Sequence, residues 1–367
     1  TLGSASTIDT NATDTTGDLA IGVVTGGSNA LTLSMGNNVA NTDISATGNI
    51  SGVTTLTLQN VGGTATLSGD VDVTTLAVGN TVANLAFTGN GSTVTNDIDF
   101  ANDGTLTLGA SGGTQTYNGG LDTSGVGSTV TLNGTIATSN DAVTFGAVTL
   151  GSATTIDTNA SNTTGDLTIG AVTGGSNALT LSTGDNVANS DITASGNISG
   201  VTTLTLSDVG GTATFAGDVD VTTLTVGNTV ANVALNGDGS TVTNTVSFAN
   251  DGTLQLADAT GDTLTFNGGV TTTGVGGTVT LNGTINASDD AITLGAVTLG
   301  SNTTVDTNAA STNTADLTIG AVTGGSNTLT LSTENNIANA DITSSSSISG
   351  VTTLTISNAG GTATLSG

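Results

Sequence analysis

The chain has 367 residues with 28 acidic side chains and no Lys, Arg, His, Pro, Cys or Trp, so its formal charge is −28. Without cations it lacks the groups that bind phosphates, which excludes nucleic acid and anionic membrane surfaces as direct partners. The missing cysteine excludes disulfides and thiolate metal sites. No apolar run approaches the ~20 residues of a membrane-spanning helix, so we expect no membrane insertion.

The chain opens with a stretch that occurs three times: TLGSASTIDTNA at Thr1, TLGSATTIDTNA at Thr149 and TLGSNTTVDTNA at Thr298. A second stretch follows it each time: DLAIGVVTGGSNALTLS at Asp18, DLTIGAVTGGSNALTLS at Asp166 and DLTIGAVTGGSNTLTLS at Asp316. Each copy of the second stretch reads as an alternating apolar/Thr strand, a Gly-Gly-Ser-Asn turn and another alternating strand. One such unit cannot bury its apolar face alone, whereas stacked copies can.

The repeats divide the sequence into residues 1–148, residues 149–297 and a partial third copy at 298–367. We interpret these as one continuous solenoid and as a window of a longer array.

A shorter period lies within each long repeat. Strands that precede Gly-containing turns end about 25 residues apart, at Ile21, Ile44, Leu67, Val94, Tyr117 and Phe145. A second strand follows each of them and ends at Leu33, Leu58, Val78, Leu108, Leu132 and Ile156. This spacing predicts two or three strands per coil, about 24–25 residues per coil, and about fifteen coils in the whole chain.

These patterns predict an all-β fold, a single-stranded parallel β-helix (β-solenoid). No segment has the 3.6-residue period of an amphipathic helix, and Thr, Val, Ile and Gly favour strands and turns. The few aromatic residues recur at matching places, Phe100 with Phe248 and Tyr117 with Phe266, as expected for side chains stacked inside a narrow tube. The general preference of parallel crossovers predicts a right-handed coil.

Two runs, DAVTFGAVTLGSATTIDTN and GGTQTYNGGLDTSGVGSTVTLNGTI, resemble the β-strand repeats of large bacterial exoproteins. The family is the filamentous haemagglutinin-like, two-partner-secreted group of adhesins and matrix proteins. The resemblance implies a secreted, right-handed β-helical shaft. We therefore expect a structural, non-catalytic filament that is extracellular or at the cell surface. Its expected partners are further copies, joined end to end or laterally, and a surface glycan or cell-surface partner bound through other parts of the molecule.

The candidate chemistry rests on carboxylates two residues apart, which a strand directs to one face. Asp70 with Asp72 recurs as Asp218 with Asp220, and Asp97 with Asp99 forms another pair. Because an active site is normally unique and the first pair recurs, we interpret these residues as solubilising surface charges and predict no enzyme. The same four residues, Asp70, Asp72, Asp218 and Asp220, are weak candidates for a calcium site, since calcium prefers carboxylate oxygens. A calcium-stiffened adhesin shaft is thus the alternative function, and no other cofactor is expected.

Threonines form a second alternative through Thr-x-Thr motifs at residues 55 and 57, 64 and 66, 105 and 107, 114 and 116, and 129 and 131. Each motif directs two hydroxyls away from the core, and stacked motifs would resemble the flat surface of ice-binding β-solenoids. Thr is also simply a good polar strand former, which explains the same motifs without a ligand.

Overall fold

The computed structural model describes residues 1–15, 17–161, 165–184, 187–310, 315–334 and 337–367. These residues form strands and turns without any helix, which confirms the all-β prediction. In the described ranges there is accordingly no helix long and apolar enough to cross a membrane. Two compact units divide the chain, Thr1–Gly184 and Asp185–Gly367.

The strands of the first unit are β1 Ser6–Ala12, β2 Leu19–Ile21, β3 Val24–Gly36, β4 Ile44–Ala46, β5 Ile50–Gln59, β6 Val61–Leu67, β7 Val71–Val78, β8 Val82–Phe87, β9 Thr93–Val94, β10 Ile98–Asp99, β11 Leu106–Leu108, β12 Thr114–Tyr117, β13 Leu121–Asp122, β14 Val130–Thr138, β15 Val143–Phe145, β16 Val148–Ala160, β17 Leu167–Ile169, β18 Val172–Thr173 and β19 Leu179–Gly184.

The strands of the second unit are β20 Ile192–Ala194, β21 Ile198–Ser207, β22 Val209–Phe215, β23 Val219–Val226, β24 Val230–Leu235, β25 Thr241–Val242, β26 Val246–Ser247, β27 Leu254–Leu256, β28 Thr263–Phe266, β29 Val270–Thr271, β30 Val279–Ala287, β31 Ile292–Leu294, β32 Val297–Asp306, β33 Leu317–Ile319, β34 Val322–Thr323, β35 Thr328–Ser332, β36 Ile342–Ser344, β37 Ile348–Ser349, β38 Thr353–Ser357 and β39 Ala363–Leu365.

Each unit is a parallel β-solenoid, in which every turn supplies three short strands that pair in register with those of the next turn. In the second unit, for example, β33, β34 and β35 pair with β36, β37 and β38. The two units together contain about 16 turns. The predicted β-solenoid is therefore confirmed with close to the predicted number of coils, and the right-handed twist of the coil stays a prediction.

The three strands of each turn form three columns along the first unit. The first column contains β2, β4, β6, β8, β11, the start of β14, the start of β16 and β18. The second contains the starts of β3, β5 and β7, then β9, β12, the end of β14, the end of β16 and β19. The third contains β1, the ends of β3, β5 and β7, then β10, which packs against β7, and β13, β15 and β17.

Equivalent strands of successive repeats lie in different columns of the first unit. β2 belongs to the first column, whereas its sequence equivalent β17 belongs to the third. The start of β3 belongs to the second column, and its equivalent β18 belongs to the first. The long repeat is therefore not a whole number of turns, and its second copy starts one column away from its first.

The length of a turn varies along the chain. Hydrogen-bonded residues one turn apart are separated by 18 residues between Gly134 and Ser152, 21 between Thr64 and Asp43, and 25 between Asp43 and Asp18. The predicted length of 24–25 residues thus applies to some turns only. For the same reason the evenly spaced strand ends of the sequence do not form one column, since Leu67, Val94 and Phe145 belong to the first, second and third columns.

The core lies between the three columns and is made of the alternating apolar side chains. In β23 the side chains of Val219 and Val221 are buried while Asp220 between them is exposed, as the period-two pattern predicts. All six Phe and the single Tyr are fully buried. Phe100 contacts Tyr117 edge to face with ring centroids 6.3 Å apart, which confirms the inward stacking of the aromatic residues.

The Gly-Gly-Ser-Asn turn, which is identical in the three copies, links adjacent turns of the solenoid. Gly175 and Ser176 both have left-handed backbone angles, with φ of +56° and +66°. The equivalent serines, Ser28 and Ser326, have φ of +63° and +70°. This geometry directs Asn177 towards the turn below, where its Nδ2 donates to the Leu150 carbonyl at 2.9 Å. Asn29 and Asn327 donate in the same way to the carbonyls of Leu2 and Leu299, at 3.2 and 3.0 Å, so the motif has a structural function in each copy.

Candidate functional site

The two carboxylates of the first predicted pair have different surroundings. Asp70 precedes β7 and is half-buried, and its Oδ1 accepts a hydrogen bond of 2.8 Å from the Gly91 backbone N–H. Its own N–H donates to Asn49 Oδ1 at 3.1 Å. Asp72 lies within β7 and is exposed. Asp70 therefore holds the backbone of the next turn, and Asp72 is the member of the pair that faces solvent.

The second predicted pair repeats this arrangement in the second unit. Asp218 Oδ1 accepts a 2.8 Å hydrogen bond from Gly239 N–H, and the Asp218 N–H donates to Asn197 Oδ1 at 3.0 Å. Asp220 is exposed and accepts a 3.0 Å hydrogen bond from Thr241 N–H. Partial burial raises the pKa of the Asp220 carboxyl, the hydrogen bond from Thr241 lowers it in part, and nearby Asp218 raises it further.

The bond from Gly91 to Asp70 belongs to a general pattern, in which an Asp or Asn side chain accepts the backbone N–H of a residue one turn later. Five further examples have distances between 2.6 and 3.0 Å: Asp18 with Asp43, Asp43 with Thr64, Asn84 with Thr105, Asp191 with Thr212 and Asp341 with Thr362. We call these bonds the corner ladder. Because Asn84 performs the same task as Asp43, the ladder needs a side-chain oxygen and does not need its charge.

A second group of carboxylates lies together on the first unit. Asp97, Asp99, Asp122 and Asp141 line a surface groove of about 370 Å³. Asp99 and Asp122 are in-register neighbours on β10 and β13, an arrangement that is unfavourable for like charges. Partial burial raises the pKa of Asp97, and the charges of Asp99, Asp122 and Asp141 raise it further against the lowering effect of the Ile98 N–H.

The second unit does not repeat this acidic group. The positions of Asp97, Asp99 and Asp122 are occupied there by Thr245, Ser247 and Thr271, and only Asp141 has an acidic counterpart, Asp290. Within the described parts of the chain, no group of three or more carboxylates has an arrangement that could hold a metal ion. The acidic group is thus a place of charge repulsion, which dissolved salt can screen.

The threonine motifs lie in all three columns. Thr64 and Thr66 belong to the first column, Thr114 and Thr116 to the second, and Thr55 and Thr57 to the third. The longest hydroxyl ladder on the first column of the first unit contains Thr107, Thr131, Thr149 and Thr173. A second row of residues lies beside this ladder, two positions earlier in each strand. It contains Thr105 and Thr129, followed by Ala147 and Ala171. The double row that an ice-binding surface needs therefore ends after two turns.

The exposed carboxylate Asp72 lines a groove that the sequence did not reveal. The groove has a volume of about 280 Å³ and lies on the second column. Thr74 continues β7 beside Asp72, and Thr93 and Thr95 belong to the next turn, where Thr93 is the in-register neighbour of Asp72. Sequence reasoning missed these hydroxyls because their position opposite Asp72 depends on a turn of 21 residues, which is shorter than the predicted coil.

Comparison with protein-family models, with curated proteins and with solved structures gives no match to this chain.

Proposed function

We propose that the protein is a structural, non-catalytic shaft of a filament, a bacterial surface adhesin or a matrix fibre. The observation that carries this proposal is the unbroken parallel stacking of turns within each unit. Parallel backbone pairing joins strands of adjacent turns along the columns, as between β5 and β7 and between β6 and β8, and side chains of the corner ladder add further bonds between turns. Such a stack resists bending and supplies length without requiring a binding pocket.

The chemistry of the surface supports a structural role. The chain has no His, Lys or Cys, so carboxylates are its main groups for acid–base or nucleophilic work near neutral pH. Asp70 and Asp218, which the sequence offered as candidates, are hydrogen-bonded to the backbone of the next turn. One carboxylate of each candidate pair is thus engaged in holding the fold, which leaves no pair of free carboxylates at either place.

The resemblance to filamentous haemagglutinin-like exoproteins supports an extracellular or cell-surface location. A chain with a net charge of −28 is soluble and repels other acidic polymers, so nucleic acid is not among the partners we propose. The proposed partners are further copies of the shaft, joined end to end or laterally, and a surface glycan or cell-surface partner bound by other segments of the same molecule.

Antibodies raised against this chain test the location and the form of the protein together. We expect them to label intact, unpermeabilised cells of the source organism, and we expect electron microscopy of the released material to show labelled thin filaments. Labelling that requires cell lysis, or labelled particles of compact outline, would contradict the proposal.

A second candidate is a shaft that cations stiffen, calcium in particular. The observation in its favour is the acidic group of Asp97, Asp99, Asp122 and Asp141, whose mutual repulsion any cation relieves. Melting temperatures in CaCl₂, MgCl₂ and NaCl at matched ionic strength separate the two readings. A saturable increase of the melting temperature with CaCl₂ alone supports the calcium-stiffened shaft. Equal increases with all three salts would show that the salts act only by screening the carboxylate charges.

A further inference from the structure

The groove beside Asp72 is formed at a β-bulge. In the pairing of β5 with β7, Ser51 lies opposite Asp72 and Val53 lies opposite Val73, so Gly52 has no partner. Gly52 has φ +65°, the left-handed conformation that glycine adopts without strain. A bulge bends its strand and redirects the neighbouring side chains, and bulges are enriched beside functional sites.

The groove carries one carboxylate surrounded by hydroxyl groups. Asp72 and Thr74 on one turn face Thr93 and Thr95 on the next, with Thr54 and Ser28 at the edge. Among the described residues, no donor forms a hydrogen bond with the Asp72 carboxylate. Because the chain has no Lys, Arg or His, no side chain of the protein can neutralise this charge.

The second unit repeats the bulge and the residues around it, with one difference: Asp220 accepts a hydrogen bond of 3.0 Å from the Thr241 N–H. Ser199 lies opposite Asp220 and Val201 opposite Val221, which leaves Gly200 as the unpaired residue, at φ +66°. Thr241 is the in-register neighbour of Asp220. Thr222 and Thr243 occupy the positions that correspond to Thr74 and Thr95. Carboxylate, hydroxyls and bulge are thus kept together in both units, whereas the acidic group around Asp97 is not.

We propose that the groove binds a primary ammonium group, with Asp72 as the counter-charge and the neighbouring threonine hydroxyls as hydrogen-bond acceptors, and that the corresponding surface beside Asp220 does the same. An ammonium group is a compact charge with three donors, which one carboxylate and two hydroxyls satisfy. Calcium takes six to eight oxygen ligands, usually with several carboxylates, and a groove with one carboxylate offers too few. The carboxylate also repels phosphate and sulfate. The ammonium group can belong to a lysine side chain of a basic partner or to a free polyamine.

The test is an NMR titration of the ¹⁵N-labelled full chain at physiological ionic strength. Spermidine and a tri-lysine peptide are the two probes, and the peptide with acetylated side chains and blocked amino terminus is the uncharged control. We expect saturable shifts at the backbone amides of Val73 and Val94 and of Val221 and Val242. Shifts with the peptide alone identify a lysine side chain as the source, and shifts with spermidine alone identify a free polyamine.

Variants distinguish binding at Asp72 and Asp220 from attraction to the general negative charge of the chain. Asp72→Asn should weaken binding in the first unit by about fivefold or more and leave the second unit unchanged, and Asp220→Asn should do the reverse. The matched controls are Asp103→Asn and Asp251→Asn, which remove an exposed carboxylate outside the grooves. Circular dichroism checks that each variant is folded.

Three results would overturn the proposal. Binding that survives in the Asp72→Asn/Asp220→Asn double variant would show that the carboxylates are not the counter-charges. Equal weakening by the Asp103→Asn and Asp251→Asn controls would show diffuse attraction to an acidic rod. Equal binding of the acetylated peptide would show that the ammonium charge is not recognised.

Discussion

The Tyr117 hydroxyl donates a hydrogen bond of 2.8 Å to Oε1 of Gln115, and both side chains are buried within the first unit. The Gln115 amide in turn donates to the backbone carbonyls of Phe87 and Gly89, at 2.9 and 3.2 Å. The pair is thus a satisfied polar group in an apolar core. The second unit has Leu264 and Phe266 at the same two positions, so both polar residues are replaced together there.

This relationship predicts a non-additive pair of substitutions. Tyr117→Phe removes the only donor to Gln115 Oε1 among the described residues, and we expect it to lower stability by about 1–3 kcal/mol because a buried acceptor is left unpaired. Adding Gln115→Leu should recover most of that loss, since the double variant copies the second unit. Thermal unfolding of the three proteins measures the effect. Additive losses in the double variant would show that the hydrogen bond does not couple the two residues.

Tyr117 also predicts the behaviour of the protein in alkali. Burial raises the pKa of Tyr117 well above its ordinary value, because the apolar core disfavours the phenolate. The unfolded chain ionises above about pH 10, so stability falls as the pH rises beyond that value. Tyr117 is the single tyrosine of a chain without tryptophan, so its ultraviolet absorbance is an isolated signal. Phenolate absorbance should increase only together with the loss of β circular dichroism, and an increase in the folded protein would be contrary to this expectation.

The corner ladder predicts that the side-chain oxygen of Asp43 contributes more to stability than its negative charge does. Asp43 Oδ1 accepts the Thr64 N–H at 2.7 Å, and Asn84 does the same for Thr105. Asp43→Asn should therefore be nearly neutral, whereas Asp43→Ala should cost about 0.5–1.5 kcal/mol through the lost hydrogen bond. Asp103→Ala is the control, since its exposed carboxylate forms no hydrogen bond with any described residue. Equal melting temperatures for the Ala and Asn variants of Asp43 would show that this hydrogen bond does not stabilise the fold.

The acidic group predicts stabilisation by neutral substitution. Asp99→Ser with Asp122→Thr introduces the residues of the second unit and removes two charges in register, which should raise the melting temperature by about 1–3 °C at low ionic strength. The gain should shrink in physiological salt. A gain that is unchanged by salt would point to packing and not to charge.

The same group predicts a pH effect through Asp97. The folded pKa of Asp97 lies above the unfolded one, so its contribution favours the fold below the unfolded pKa and is lost as the pH rises through the folded value. Asp97→Asn should remove this part of the pH dependence, which begins as the pH rises above about 4, the ordinary pKa of an aspartate carboxyl in the unfolded chain. Melting curves of the wild-type and variant proteins across this range, with Asp103→Asn as control, make the comparison.

The sequence sufficed for the fold class because alternation of apolar and polar residues is a local property. The period-two pattern of Val219, Asp220 and Val221 predicts their burial without knowledge of any neighbour. The sequence predicts Phe100 and Tyr117 as core residues for a different reason, since aromatic residues recur at the same positions one repeat later. Their edge-to-face contact belongs to the tertiary structure and was not predictable in detail.

The candidate site was predictable only in part. Asp70 and Asp72 were identified as a pair, yet the different tasks of the two residues depend on which backbone groups lie one turn away. That distance along the chain is 18 residues at one corner and 25 at another, because loops of different length connect the strands. A uniform coil of 24–25 residues therefore places Thr93 away from Asp72, whereas the structure places it alongside.

The displacement of equivalent strands by one column has a consequence for evolution by duplication. In the first unit, β2 and β17 have nearly the same sequence but face different directions. Each further copy added with this displacement would rotate its surface residues by another third of a revolution about the solenoid axis. A longer array would therefore present the same residues in three directions. Two neighbouring molecules could then align identical faces only at every third copy. Duplication of this repeat therefore lengthens the molecule without building one continuous lateral face of identical residues.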